Sequence, residues 1–411
     1  MMPTFLKLFE KNIVYLLPIL LIFSRSAADI TIVTIGFIFL YRSYQLRDWK
    51  WVNEKWFLCS LIFVSYLLFV NTPMSINPKG SLLYSLAFIR WPLFAMALSY
   101  WLLKSQINQK KLLLIMVVTL TFIALDTWWQ YFFRVDIFGY LPLQGDRLTG
   151  PFRTNNSVPG IFLARLTFIL LYIGIIFSRF NDPKKKISLV LFILTAMLVT
   201  VFITGERMAL ILALSGSIIS LAALYLEFPN YRKIISLGCF LLLSFVAVFA
   251  FNFTMIFERQ VIGMVDKLSN FYTSDYGIVY QSAYKVWMQS PIFGVGLHQY
   301  RLECLALDLK NTGGAVCTHP HNISFELLSE TGIIGFFLYY LMIISIGVTA
   351  LKNHLTQRKW LYLFFGFNLL FISFFPLIGG MSLFNNWIAA TIWLFAGWVL
   401  ALKNSININR L

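Results

Sequence analysis

Residues 184–207 read KKKISLVLFILTAMLVTVFITGER. Three lysines lead into a run from Ile187 to Ile203 without a charged side chain, and the run ends on Thr204-Gly205-Glu206-Arg207. A second apolar run follows at once over 207–227, and Arg232-Lys233 introduces a third over 232–254. Crossing a hydrocarbon core takes about 20 apolar residues as a helix, because every backbone polar group there must be satisfied internally. The runs are continuous rather than alternating, which argues against a transmembrane β-barrel.

Working outward, runs of the same kind fall near 12–26, 28–42, 55–72, 82–103, 111–133, 158–178, 187–204, 207–227, 232–254, 323–351, 360–378 and 384–402. The expected fold is an all-α integral membrane protein with about twelve transmembrane helices. Helices 1–9 occupy 1–254, with a loop at 134–157. A large loop with amphipathic helices occupies 255–322, between helices 9 and 10, and helices 10–12 occupy 323–411. Basic clusters at Lys7/Lys11, Arg42/Arg47/Lys50/Lys55, Lys104/Lys110/Lys111, Arg179/Lys184–Lys186, Arg232/Lys233, Lys352/Arg358/Lys359 and Lys403/Arg410 all fall on one side if there are twelve spans. By the positive-inside bias that side and both termini are cytoplasmic, and the two long loops are periplasmic.

Composition agrees. Of 411 residues, 59% are hydrophobic and 12% charged, against about 25% charged in soluble domains. The net charge of +16 belongs to loops facing anionic headgroups, so the expected surroundings are membrane lipid. No nucleic-acid module is present, and no nucleic acid is expected as a partner. Lys7, Lys11 and the run Ile13–Phe23 resemble a signal peptide, but the charge parity requires a retained first span.

The non-cytoplasmic face carries the residues able to do chemistry. Arginine there works against the topology bias, and its planar fork suits phosphate oxygens. Arg147 and Arg153, Arg207 beside Glu206, and Arg301 could together clamp a lipid diphosphate; the plain alternative is that each pairs with a headgroup or a nearby acid. His319-Pro320-His321 precedes Asn322, which fits the N-cap of the tenth span, and Glu326 and Glu330 follow at i, i+4 spacing on one face. A neutral His321 at the water–lipid boundary could take a proton from a sugar hydroxyl, whereas a loop-capping histidine is the bland reading. The histidine pair lacks a tight ligand set, so no metal and no cofactor are expected. Gly294-Val295-Gly296 reads as a turn, not a nucleotide loop. Arg90 or Arg165 is expected to pair with Asp126 inside the bundle. Trp101, Trp128, Trp129 and Trp387 read as interfacial belts. Cys304 and Cys317 share the oxidising side, and a disulfide between them is worth roughly 3 kcal/mol in the chain-entropy model.

Four motifs in this order resemble the O-antigen ligase and polymerase superfamily of bacterial envelope glycosyltransferases. They are Arg147-Leu148-Thr149-Gly150-Pro151-Phe152, Gly205-Glu206-Arg207, Pro291-Ile292-Phe293-Gly294-Val295-Gly296 and His321-Asn322-Ile323-Ser324-Phe325-Glu326. The resemblance implies transfer of a glycan from undecaprenyl diphosphate, inverting and metal-independent, in the bacterial inner membrane. In a ligase the acceptor is a lipid A–core hydroxyl; in an O-antigen or exopolysaccharide polymerase it is another lipid-linked repeat. His321, with His319 beside it, would activate the acceptor, and Arg207 with the large-loop arginines would bind the diphosphate. Many members carry an arginine about fifteen residues before the proline of the third motif. Here Asp275-Tyr276-Gly277-Ile278 stands there, and Arg301 is expected to supply the cation. A lipid-linked glycan transporter also suits twelve spans, but no repeat symmetry is visible and the polar interest is concentrated on one face, outside the lipid core.

Overall fold

The computed structural model describes residues 12–143, 147–152, 159–177, 182–309, 317–376 and 382–402. It is helical throughout, with one isolated bridge, Leu143 to Arg147. Nine apolar helices come first: α1 (Ile13–Phe23), α2 (Arg25–Leu46), α3 (Lys55–Asn71), α4 (Pro78–Leu102), α5 (Gln106–Phe133), α6 (Pro159–Phe177), α7 (Pro183–Ile203), α8 (Arg207–Glu227) and α9 (Pro229–Asn252). After a helical segment over 254–269 come α10 (Asp275–Trp287) and α11 (Tyr300–Ala306), followed by α12 (Ile323–Thr356), α13 (Trp360–Phe374) and α14 (Asn386–Leu402). Among the described residues, eight helices are long and apolar enough to cross a membrane, and four shorter apolar ones (α1, α3, α13 and α14) occupy the remaining expected runs.

Burial sorts these helices. From Trp387 to Leu402 every residue of α14 is buried, whereas α9 buries only Ile235, Leu242 and Ala250. A helix apolar on all sides yet exposed is stable only with lipid around it. Trp387 is a correction to the interfacial reading: it is buried, its indole N–H donates to Leu21 O at 2.6 Å, and its ring packs against Phe162 at a tilt. The pairing expected for Asp126 is likewise replaced. Arg90 pairs with Asp29 at 3.4 Å, Asp126 accepts from Ile137 N, and Arg165, fully buried on α6, has no hydrogen-bond partner among the described residues.

One break positions the 291–300 turn. α12 is interrupted at Gly332, whose φ of 66° and ψ of −176° are not helical. The turn containing Pro291 to Leu297 packs into that break. Ile333 N donates to Pro291 O, Val295 N to Ser329 O and Gly296 N to Glu330 O, at 2.9–3.0 Å. Gly294 and Gly296 take φ of 77° and 110°, conformations that suit glycine. Asn71, fully buried on α3, donates to Phe293 O and Glu330 O and accepts from Leu297 N. Its amide thereby satisfies backbone groups that the helix break would otherwise orphan. The Glu330 carboxylate accepts from His298 N and Tyr300 N, so it serves the same junction.

Candidate functional site

The site is built on the short stretch of α12 before the break. Asn322 is its N-cap, accepting from Ser324 N at 2.8 Å and Phe325 N at 3.2 Å. That fixes the residue before it. His321 has φ of 52°, a left-handed conformation that turns the chain into the cap. The His319 and His321 rings lie 3.9 Å apart at 50°. Ile323 N donates to Pro376 O and Leu383 N donates to the buried Glu326 carboxylate, tying this turn to the loop before α14. Glu326 therefore acts as an anchor.

Arg207 begins α8 and His321 faces the same cleft. The cleft has a volume of about 170 Å³, and Lys267, Tyr276 and Tyr280 supply the rest of its polar wall. Met208, Ile211, Met264, Leu268 and Phe271 make the other wall apolar. Two cations, an imidazole and two phenols thus line a slot whose remaining surface suits a hydrocarbon chain.

Several contacts fix the two cations. Arg207 Nε donates to Arg259 O at 2.9 Å, and Gln260 Nε2 donates to Phe202 O at 2.6 Å, which clamps the 254–269 segment over the ends of α7 and α8. Lys267 Nζ bonds Asp275 Oδ2 at 2.5 Å and lies 5.5 Å from the Tyr276 ring centre. This lysine, by hydrogen bond and then by charge, holds the Asp275 carboxyl below its ordinary range, and Arg207 adds to the effect. Burial pushes the Tyr280 phenol above its ordinary value, so it stays a neutral hydroxyl, hydrogen-bonded to the Asn322 side chain.

Other expected residues fall around this centre. Arg147 Cγ and Arg259 Nη1 each lie 3.6 Å from where a Cβ would stand on Gly205, so both arginines sit over the Gly205-Glu206-Arg207 turn. Leu148 N donates to Thr204 O, and the buried Gln130 side chain holds Thr149 and Gly150, which docks the first motif on that turn. Glu206 accepts from Gly160 N at 2.8 Å at the start of α6. Arg153 lies outside the described residues. Arg301 is exposed on α11 and does not line the cleft. Cys304 on α11 is bonded to Cys317, with Cα atoms 5.5 Å apart, which fastens α11 to the segment leading to His319.

Lys267, Tyr276 and Tyr280 were not legible as site residues, and Arg259 was legible only as one of the large-loop arginines. The signal for Lys267 was present: it lies between Met264 and Leu268 in a helix read only for its apolar face.

Residues 189–340 match the family model described as O-antigen ligase. The matched stretch contains Arg207, Lys267, Asp275, Tyr280 and His321, and it is consistent with the superfamily that the four motifs resemble. No curated protein matches the chain.

Proposed function

We propose that the protein is an O-antigen ligase, moving a glycan from undecaprenyl diphosphate to a hydroxyl of the lipid A–core. One observation carries this reading: His321 shares a single, mostly apolar cleft with Arg207 and Lys267. The His321 imidazole takes the proton of the acceptor hydroxyl, and the freed oxygen forms a bond to the anomeric carbon from the face opposite the diphosphate. The carbon–oxygen bond to the diphosphate breaks, inverting the centre, and the departing oxygen keeps the electron pair. Arg207 and Lys267 face that developing charge from a cleft with a mostly apolar wall. Arg147 and Arg259 extend the positive field above the Gly205 turn, and His319 packs against the base. Lys267 fills the role expected of Arg301. The prenyl chain lies along Met208 and Ile211. In this reading all twelve apolar helices cross the bacterial inner membrane, both termini are cytoplasmic, and the cleft opens to the periplasmic leaflet.

The test is reconstitution in proteoliposomes with a lipid-linked glycan and a lipid A–core acceptor. Wild type forms the glycosylated core and His321→Ala does not. If wild type lengthens lipid-linked repeats and leaves the core untouched, the protein is a polymerase. If glycan crosses the bilayer with no new glycosidic bond, it is a transporter.

A further inference from the structure

A second cavity lies at the other end of the bundle from the cleft. The start of α4 touches the 291–297 turn, through Ile76 N to Val295 O, and α4 then runs 25 residues, roughly 37 Å, away from it. Where α2 and α4 end and α5 begins, Arg42, Asp48, Tyr100, Trp101, Lys104 and Asn108 help to line a cavity of about 390 Å³, more than twice the volume of the cleft. We propose that this cavity is a binding site for a phospholipid headgroup in which a phosphodiester is joined to an N–H or O–H donor.

The chemistry of its wall carries the assignment. Arg42 and Lys104 come from different helices' ends and both border the one cavity, as phosphate recognition by paired cations requires. The Arg42 guanidinium stands 5.5 Å from the Trp101 ring centre, so the fork is held against an aromatic face. Asp48 gives the opposite charge and is fixed in place: Tyr100 donates to both its oxygens at 3.2–3.3 Å, and Lys50 N donates to Oδ1. A carboxylate lining the same cavity as two cations selects a ligand that carries a donor next to its phosphate. Phe39, Leu46 and Leu102 complete the wall with apolar surface, which favours an acylated ligand over a free anion. The frame is rigid, since the Trp51 indole N–H donates to buried Ser43 at 3.0 Å and Asn108 donates to Leu102 O at 2.8 Å. None of these residues belongs to the transfer machinery.

The experiment is native mass spectrometry of the full-length protein released from vesicles of phosphatidylethanolamine, phosphatidylglycerol or phosphatidylcholine. Ethanolamine and glycerol lipids stay bound to wild type, and choline lipid, which has no donor, is retained several-fold less. Arg42→Gln with Lys104→Gln lowers retention about 10-fold or more. The exchanged pair Arg42→Lys with Lys104→Arg keeps it, which separates lost charge from lost fold. Asp48→Asn removes the preference over choline lipid. Equal retention of all three lipids, unchanged binding in the double glutamine variant, or displacement of lipid by millimolar inorganic phosphate would each overturn the assignment. Glycan transfer by the double variant stays at the wild-type rate, so this site and the proposed reaction fail independently.

Discussion

Arg207 is gripped from behind by the backbone of Arg259: its Nε donates to that carbonyl at 2.9 Å while the guanidinium lines the cleft. Arg207 Nη2 also lies 2.8 Å from where a Cβ would stand on Gly263, so the 254–269 segment is shaped to admit this side chain. The cation is therefore positioned before any substrate arrives. Preorganised charge of this kind costs no reorganisation at the moment of bond breaking.

Arg207→Lys tests that positioning. It keeps the charge and loses both the planar fork and the bond to Arg259 O. We expect kcat to fall about 10²-fold with KM changed far less, the magnitude for losing one preorganised donor. Steady-state transfer in proteoliposomes reads the split. An equal rise in KM with kcat retained would mean that Arg207 binds the ground state and the transition state equally.

Lys267 and Arg301 make opposite predictions, although the sequence favoured the second. Lys267→Ala removes a cleft cation, so transfer falls about 10²-fold. Arg301→Ala alters an exposed side chain on α11, and activity stays within about twofold. Parallel assays of the two variants decide between them; loss in Arg301→Ala with normal Lys267→Ala would return the role to Arg301.

His321→Gln retains size and hydrogen-bonding ability but not basicity. Transfer should fall by about 10²–10⁴-fold, while a labelled lipid-linked donor still binds at the wild-type level. Donor binding lost in step with activity would place His321 in binding and leave the base unassigned.

The apolar runs were legible because hydrocarbon imposes length and continuity on a single segment, and each of the twelve runs contains a helix. Asn322 was legible for a similar reason, since a helix start needs a local acceptor. Lys267 and the break at Gly332 were not. Whether a cation on a loop helix faces a cleft depends on where Gln260 and Arg207 dock that helix, across more than fifty residues of sequence. The run over 323–351 read as one long helix because Gly332 sits in an otherwise apolar pattern. The buried Asn71 amide, the Tyr66 hydroxyl and the 291–297 turn, all distant in sequence, stabilise the break.

Asp275 gives a pH signature. Its folded carboxyl is held below the ordinary value of 3.8 by Lys267 first and Arg207 last. A lowered folded value adds stability that is complete above the unfolded value and is lost as pH falls through the folded one. Wild type should therefore unfold at a higher temperature than Asp275→Asn by a constant margin from pH 7 to pH 5. The margin should shrink below about pH 4. The side chain is mostly exposed, so the margin is small. A gap that widens on acidification would contradict the ion pair.

Gly332 offers the sharpest structural test. At φ of 66° and ψ of −176° a side chain is strained, and a Cβ there meets the backbone of Ile292 and Gly294. The conformational penalty alone is about 1–3 kcal/mol, and relieving the clash would push the 291–297 turn out of the break. Gly332→Ala should therefore lower the unfolding temperature and reduce transfer together, because the short stretch carrying Asn322 and His321 loses its seat. Gly347→Ala, in the same helix, is the control: its Cβ meets only Leu370 Cδ1 at 3.4 Å. That substitution should be neutral or stabilising by up to about 1 kcal/mol, the helix preference for alanine over glycine. If both alanines behave alike in thermal unfolding and transfer, α12 is continuous in the membrane, and the geometry that places His321 in the cleft must be abandoned.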